Sequence, residues 1–118
     1  MDIKVTFAPE AGEPVRFAAD ELAAYLGRML ADEDGALTIA LAVGPGQEDG
    51  LPDQFSVKLD QQGGSIQGNS GRAVLLGVYD CLRRLGCRFL APIKGCEVVP
   101  VISRRALAID YEHRASFR

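Results

Sequence analysis

The chain has no tryptophan, one histidine and three cysteines among its 118 residues. Each scarcity excludes something. A single histidine, His113, cannot support a multi-histidine metal site. Cys81, Cys87 and Cys96 are odd in number and lie six and nine residues apart. That pattern suits neither a disulfide framework nor the close cysteine pairs of a zinc site. Three reduced, mostly buried thiols are expected, with one bridged pair as the alternative. No apolar run approaches the ~20 residues of a membrane-spanning helix. With 3 tyrosines and 5 phenylalanines as the only aromatics, little is available for an exposed stacking platform.

What is present belongs to a globular domain. Hydrophobic residues make up 47% and charged residues 25% of the chain, an ordinary balance. A chain of 118 residues can bury about two thirds of its unfolded surface, enough for one core. The start, MDIKVTFAPE, has an acidic second residue and no apolar segment of signal-peptide length, which favours the cytoplasm.

The net charge of −3 is unevenly spread. Residues 1–70 hold twelve acids and four bases, whereas residues 71–118 hold four acids and nine bases. The bases are scattered over a helix, a loop and a tail, without interleaved aromatics. Nucleic acid is therefore not an expected partner. A contact surface for another protein domain fits the basic half better.

Hydrophobic periodicity divides the chain into short elements. Residues 3–7 alternate as a first strand. A helix to about residue 31 presents Ala18, Leu22, Leu26, Met29 and Leu30, with Asp20 and Glu21 expected in its early part, where carboxylates suit the dipole. Residues 37–43 form an aliphatic second strand, and Phe55, Val57 and Leu59 mark a half-buried third. Residues 61–64 read as a hairpin turn and residues 65–68 as a fourth strand. The second helix shows Val74, Val78, Leu82 and Leu85 on one face. Asn69 and Ser70 are its expected caps, and Gly86 its left-handed end. Two short tail strands, at 96–101 and 105–109, are plausible. The expected fold is α+β: a small mixed, largely antiparallel four-stranded sheet with two helices on one face, in β-α-β-β-β-α order.

Chemistry is harder to find. Gly63, Gly64, Gly68 and Gly71 precede the second helix, yet Arg72-Ala73 stands where a P-loop needs Lys and Ser or Thr. Those glycines are expected to serve a hairpin and close helix–sheet packing. The acidic run Asp32-Glu33-Asp34 lacks the alternating donors of a cation loop and reads as a solvated helix end. Asp80 is placed on the polar side of the second helix. Asp110 and Glu112 alternate with Ile109 and Tyr111 and would share a strand face, solvated rather than acting as a glycosidase pair. No cofactor motif, nucleophile elbow or activated thiol for His113 is recognisable. As an isolated catalyst the chain looks empty.

Residues 69–92, NSGRAVLLGVYDCLRRLGCRFLAP, resemble the end of a non-catalytic α/β domain found in several glycoside hydrolases. Gly71, Gly77, Tyr79, Leu82, Leu85, Gly86, Arg88, Phe89 and Pro92 match its pattern. FAADELAAYL is similar to that domain's first helix and GCEVVP to its next strand. The domain precedes the catalytic barrel in family 20 β-N-acetylhexosaminidases, α-glucuronidases and α-N-acetylglucosaminidases. The resemblance implies an accessory domain over residues 1–110 and a linker over 111–118 into a barrel beyond the chain. The implied partners are that barrel and, through the parent enzyme, a carbohydrate; no cofactor, metal, nucleic acid or membrane is implied. Phe117 and Arg118 match the barrel's entry loosely, and the resemblance makes Arg118 a substrate contact. A free-standing carbohydrate-binding or protein-interaction module is the alternative.

Overall fold

The computed structural model of the protein describes residues 1–44, 52–89 and 97–114. Strand β1 (Asp2–Thr6), helix α1 (Glu13–Met29) and strand β2 (Ala36–Val43) come first. Strands β3 (Gln54–Asp60) and β4 (Gly63–Gly68) and helix α2 (Gly71–Arg84) follow. A 3-10 turn (Arg104–Leu107) then leads into β5 (Ile109–Arg114). The sheet order is β1-β2-β4-β3-β5.

This is the expected α+β architecture with a fifth strand added. The pairings are also more evenly mixed than expected: β1–β2 and β2–β4 run parallel, β3–β4 and β3–β5 antiparallel. Residues 109–114 extend the sheet because Ile109 and Tyr111 pack toward the core while β3 offers a free edge from Leu59 to Gln54. The first four of the residues expected as a linker, 111–114, thus belong to that strand. The two tail strands expected earlier are absent among the described residues. Val98 makes only a single bridge with Arg88, and Arg104–Leu107 is a 3-10 turn.

Alternation along the strands separates two faces. Leu37, Ile39 and Leu41 of β2, Phe55, Val57 and Leu59 of β3, and Ile66 of β4 are buried beneath the helices. Thr38 and Ala40 on β2 and Lys58 on β3 point to the open face and are exposed. From α1 come Val15, Ala18, Leu22, Leu26 and Met29, from α2 Val74, Val78, Cys81 and Leu82. Full burial of a Leu or Ile side chain contributes about 1.5–3 kcal/mol, so this single layer carries most of the stability.

Helix α1 begins earlier than its carboxylates implied. Pro14 stands in the first turn, where its missing N–H costs nothing, and Gly12 precedes the helix without a side-chain cap. Asp20 and Glu21 therefore lie in mid-helix rather than at its positive end. Helix α2 is capped by Ser70, whose Oγ accepts from the Ala73 amide at 3.0 Å. Asn69 does something else: its Oδ1 accepts from the Gln54 amide at 3.0 Å and its Nδ2 donates to the Pro52 carbonyl at 2.8 Å. Gly86, at φ +114°, ends α2, with the Cys87 amide reaching back to the Leu82 carbonyl at 3.0 Å.

The two helices run side by side in the same direction. Gly71 abuts Pro14 and Val15 near their starts, Tyr79 bonds to Glu21 midway, and Cys87 meets Met29 near their ends. Both helix starts consequently lie at the carboxyl ends of β1, β2 and β4.

Candidate functional site

None of the sequence's chemical candidates assembles into a reaction centre among the described residues. Cys81 and Cys87 are free and buried. Burial, then the charge of Asp80, pushes the Cys81 thiol up to about 12, and burial raises Cys87 as well. Thiols held protonated in this way are poor nucleophiles. Cys96 lies outside the described residues, as does Arg118, the substrate contact implied by resemblance. His113 is exposed on β5, its ring stacked on Phe55 at 4.9 Å and 17°. Asp110 and Glu112 do share the open face, across from Lys58 and Ser56. No group of three His, Cys, Asp or Glu side chains among the described residues could hold a metal ion.

The glycines before α2 are explained by packing. A Cβ on Gly63 would stand 2.0 Å from the Thr38 carbonyl oxygen, and one on Gly64 1.9 Å from that of Lys58. One on Gly68 would lie 2.7 Å from the Val74 amide nitrogen, inside the first turn of α2. The acidic run after α1 is tied down too. Glu33 accepts from the Arg104 amide at 2.7 Å, and the Arg104 guanidinium donates to the carbonyls of Gln61, Asp34 and Ala36 at 2.5, 3.1 and 2.7 Å.

Asp80 is less free than its place on the polar side of α2 implied. It accepts from the Tyr111 hydroxyl at 2.6 Å and from Arg84 Nε at 3.0 Å. The Arg84 guanidinium lies 3.7 Å above the Tyr111 ring, so the three residues stitch α2 to β5. Burial alone would raise the Asp80 carboxyl, but the two hydrogen bonds outweigh it and hold the group below its ordinary value. For Tyr111, burial and the bond to Asp80 act together to raise the phenol.

The outer surface of the helix pair is the most partner-like feature. Phe89 packs edge-on against both Tyr25 (5.2 Å, 87°) and Tyr79 (5.4 Å, 81°). Arg28 lies 5.7 Å from the centre of the Tyr25 ring and Arg83 5.8 Å from that of Phe89. Tyr79 donates to Glu21 at 2.8 Å. On the outward sides of the two helices Phe17 is 51% and Leu76 40% exposed. Aromatic and arginine side chains around exposed apolar ones are the composition of a protein interface. Among the described residues several bases of the C-terminal half are engaged locally. Arg72 pairs with Asp53, Arg84 with Asp80, and Arg104 faces backbone carbonyls.

Two hollows mark the surface of the described residues. An apolar cleft of about 650 Å³ lies at the carboxyl ends of β1 and β2, beside Phe7, Ala11, Leu41 and Val43. A shallower depression of about 180 Å³ lies where β3, β4 and β5 meet, lined by Gln54, Ser56, Gln67, Asn69, Glu112 and His113 together with Phe55 and the backbone of Gly44 and Gly68. The amides of the depression and the two exposed helix residues went unnoticed in the sequence. Isolated polar positions on strands, and single apolar ones on helices, carry no signal until packing shows which of them converge.

Comparison with protein-family models, with curated proteins and with solved structures finds no match.

Proposed function

We propose that this chain is the non-catalytic accessory domain of a carbohydrate-active glycoside hydrolase, supporting a downstream (β/α)₈ catalytic barrel. The outer helix face carries this reading. It offers exposed Phe17 and Leu76 and a ring cluster flanked by Arg28 and Arg83, whereas Cys81 and Cys87 are buried, His113 is stacked on Phe55 and Asp80 is held by Tyr111 and Arg84. The pattern from Gly71 to Phe89 is read in the same sense. Gly77 lets α2 sit on β3 and β4, Gly86 ends the helix, and Phe89 completes the ring cluster. Each is a part of a packed support rather than of a reaction site. Sugar and linkage would be decided in the barrel.

The test is association. Residues 1–118 are mixed with the separately expressed segment encoded downstream, and complex formation is followed by sedimentation velocity. A complex is expected, weakened at least tenfold by Phe17→Asp with Leu76→Asp, on the scale of about 1.4 kcal/mol or more. No complex, or turnover of aryl-glycosides by residues 1–118 alone, would overturn the proposal.

A further inference from the structure

One side of α1 is turned away from both the sheet and α2. Leu22 and Leu26 face the core. Glu21 and Tyr25 mark the flank toward α2, the first by its bond to Tyr79 and the second by its packing on Phe89. Phe17, Asp20, Ala24 and Arg28 are left in the open, and all four are exposed. Gly27 lies between them, where a Cβ would meet nothing within 4 Å.

The charges on this side are ordered for self-pairing. Asp20 and Arg28 stand four residues before and four after Ala24, about 6 Å along the axis in each direction. Two copies of α1 laid antiparallel about Ala24 therefore bring each Asp20 level with Arg28 of the other copy. Parallel copies would set like charges together, and an antiparallel register shifted by one turn would set Arg16 level with Arg28. Asp20 makes no ion pair among the described residues. Arg28 reaches Glu97 only at 3.5 Å, with its side chain 55% exposed, so it keeps donors for a second carboxylate. The apolar groups fit the same register. Phe17 precedes Ala24 by seven residues and Ala31 follows it by seven, so each ring lies level with the exposed methyl of Ala31 in the other copy. The small side chain of Ala24 at the centre allows the close approach of packed helices, about 8 Å between axes.

We propose that α1 pairs antiparallel with α1 of a second copy of this chain, in a two-fold dimer centred on Ala24. Two Asp20–Arg28 ion pairs and two Phe17 rings close the seam, and the contact is isologous, as two-fold symmetry requires. A seam one helix long, ~25 Å, covers about 800–1,000 Å² in total, below the size of a permanent interface. A dissociation constant of about 10–200 μM is expected. Phe17 can face one partner at a time, so a second copy and the proposed barrel would compete for it, but the pairing does not rest on the barrel.

The experiment is sedimentation velocity on the 118-residue chain from about 5 to 500 μM. The sedimentation coefficient should rise from monomer to dimer across that range. Asp20→Arg and Arg28→Asp each put two like-charge pairs into the seam and should weaken association at least tenfold. Mixed in equal amounts, the two variants re-form both ion pairs in a heterodimer and should recover the parent affinity within about threefold. Both positions are exposed, and far-ultraviolet circular dichroism should show unchanged helix content in each variant. A monomer at every concentration, a dimer that withstands both reversals, or single variants that stay apart when mixed would each overturn the proposal. The downstream segment is absent from every arm, so these outcomes are separate from those that test the barrel complex.

Discussion

Replacing glycine by alanine should stabilise this protein at position 27 and destabilise it at position 68. The chemical change is the same, so only the surroundings can separate the outcomes. Gly27 lies within α1, and a Cβ there would have nothing within 4 Å. The substitution gains helix propensity and lowers the entropy of the unfolded chain, a benefit of about 0.5–1 kcal/mol. At Gly68 the new Cβ would lie 2.7 Å from the Val74 amide nitrogen and 2.9 Å from both the Ala73 carbonyl carbon and Cβ. Backbone cannot turn aside as a side chain can, so α2 must lift from the end of β4. Overpacking of this kind costs about 1–3 kcal/mol. Gly77 is the intermediate case. Its Cβ would meet Ile66 and Phe55 side chains at 3.1 Å, and the ~1 kcal/mol gained in helix propensity offsets part of the crowding. For a chain of this size ~1 kcal/mol moves Tm by about 4 °C. Thermal melts by circular dichroism should place Gly27→Ala about 2–4 °C above the parent and Gly68→Ala about 4–12 °C below it, with Gly77→Ala between them. Urea midpoints should give the same order with unchanged slopes. A Gly68→Ala protein as stable as the parent, or a Gly27→Ala protein less stable, would refute the packing account.

Acid should loosen the link between α2 and β5. The folded-state pKa of Asp80 is lowered, so its stabilising effect is present above the unfolded value of ~3.9 and is lost as pH falls through the folded value. Asp80→Asn should flatten stability against pH below about 4, and an unchanged acid limb in urea titrations would contradict the role given to the Tyr111 and Arg84 bonds. At the other extreme the Tyr111 phenol is raised, so its contribution is present below ~10 and is lost as pH rises further. Tyr111→Phe should reduce that alkaline loss. Arg104→Ala should cost about 1–2 kcal/mol by freeing three backbone carbonyls, and Arg104→Lys should recover less than half of it, because an ammonium cannot reproduce the planar fork. Full recovery by lysine in urea unfolding would show that charge alone matters there.

Most of the fold was legible because its signals are local. The 3.6-residue spacing of Val74, Val78 and Leu82 and the alternation of Phe55, Val57 and Leu59 depend on each element burying one side, whatever its partner. The serine before α2 and the glycine after it are likewise local solutions to unpaired backbone groups. The start of α1 was less clear because Pro14 marks it without a side-chain cap, while Asp20 and Glu21 mimic a first turn. The site was less legible still. Gln54, Ser56 and Gln67 belong to two strands and become neighbours only through the β3–β4 register that sets Ser56 opposite Gln67.

The amino-acid sequence by itself determined an α+β chain with two amphipathic helices, four short strands and no ready catalytic motif, since each of these follows from composition and near-neighbour spacing. Tertiary structure decided that residues 109–114, whose alternation marks a strand face, join the sheet as its fifth strand, because the free edge of β3 lies beside them. It also decided that Asp80 meets Tyr111, that Tyr25 and Tyr79 share Phe89, and that Gln54, Ser56 and Gln67 line one hollow. Each such meeting joins residues distant in sequence, and only the packing of helices on a particular strand order fixes which of them touch.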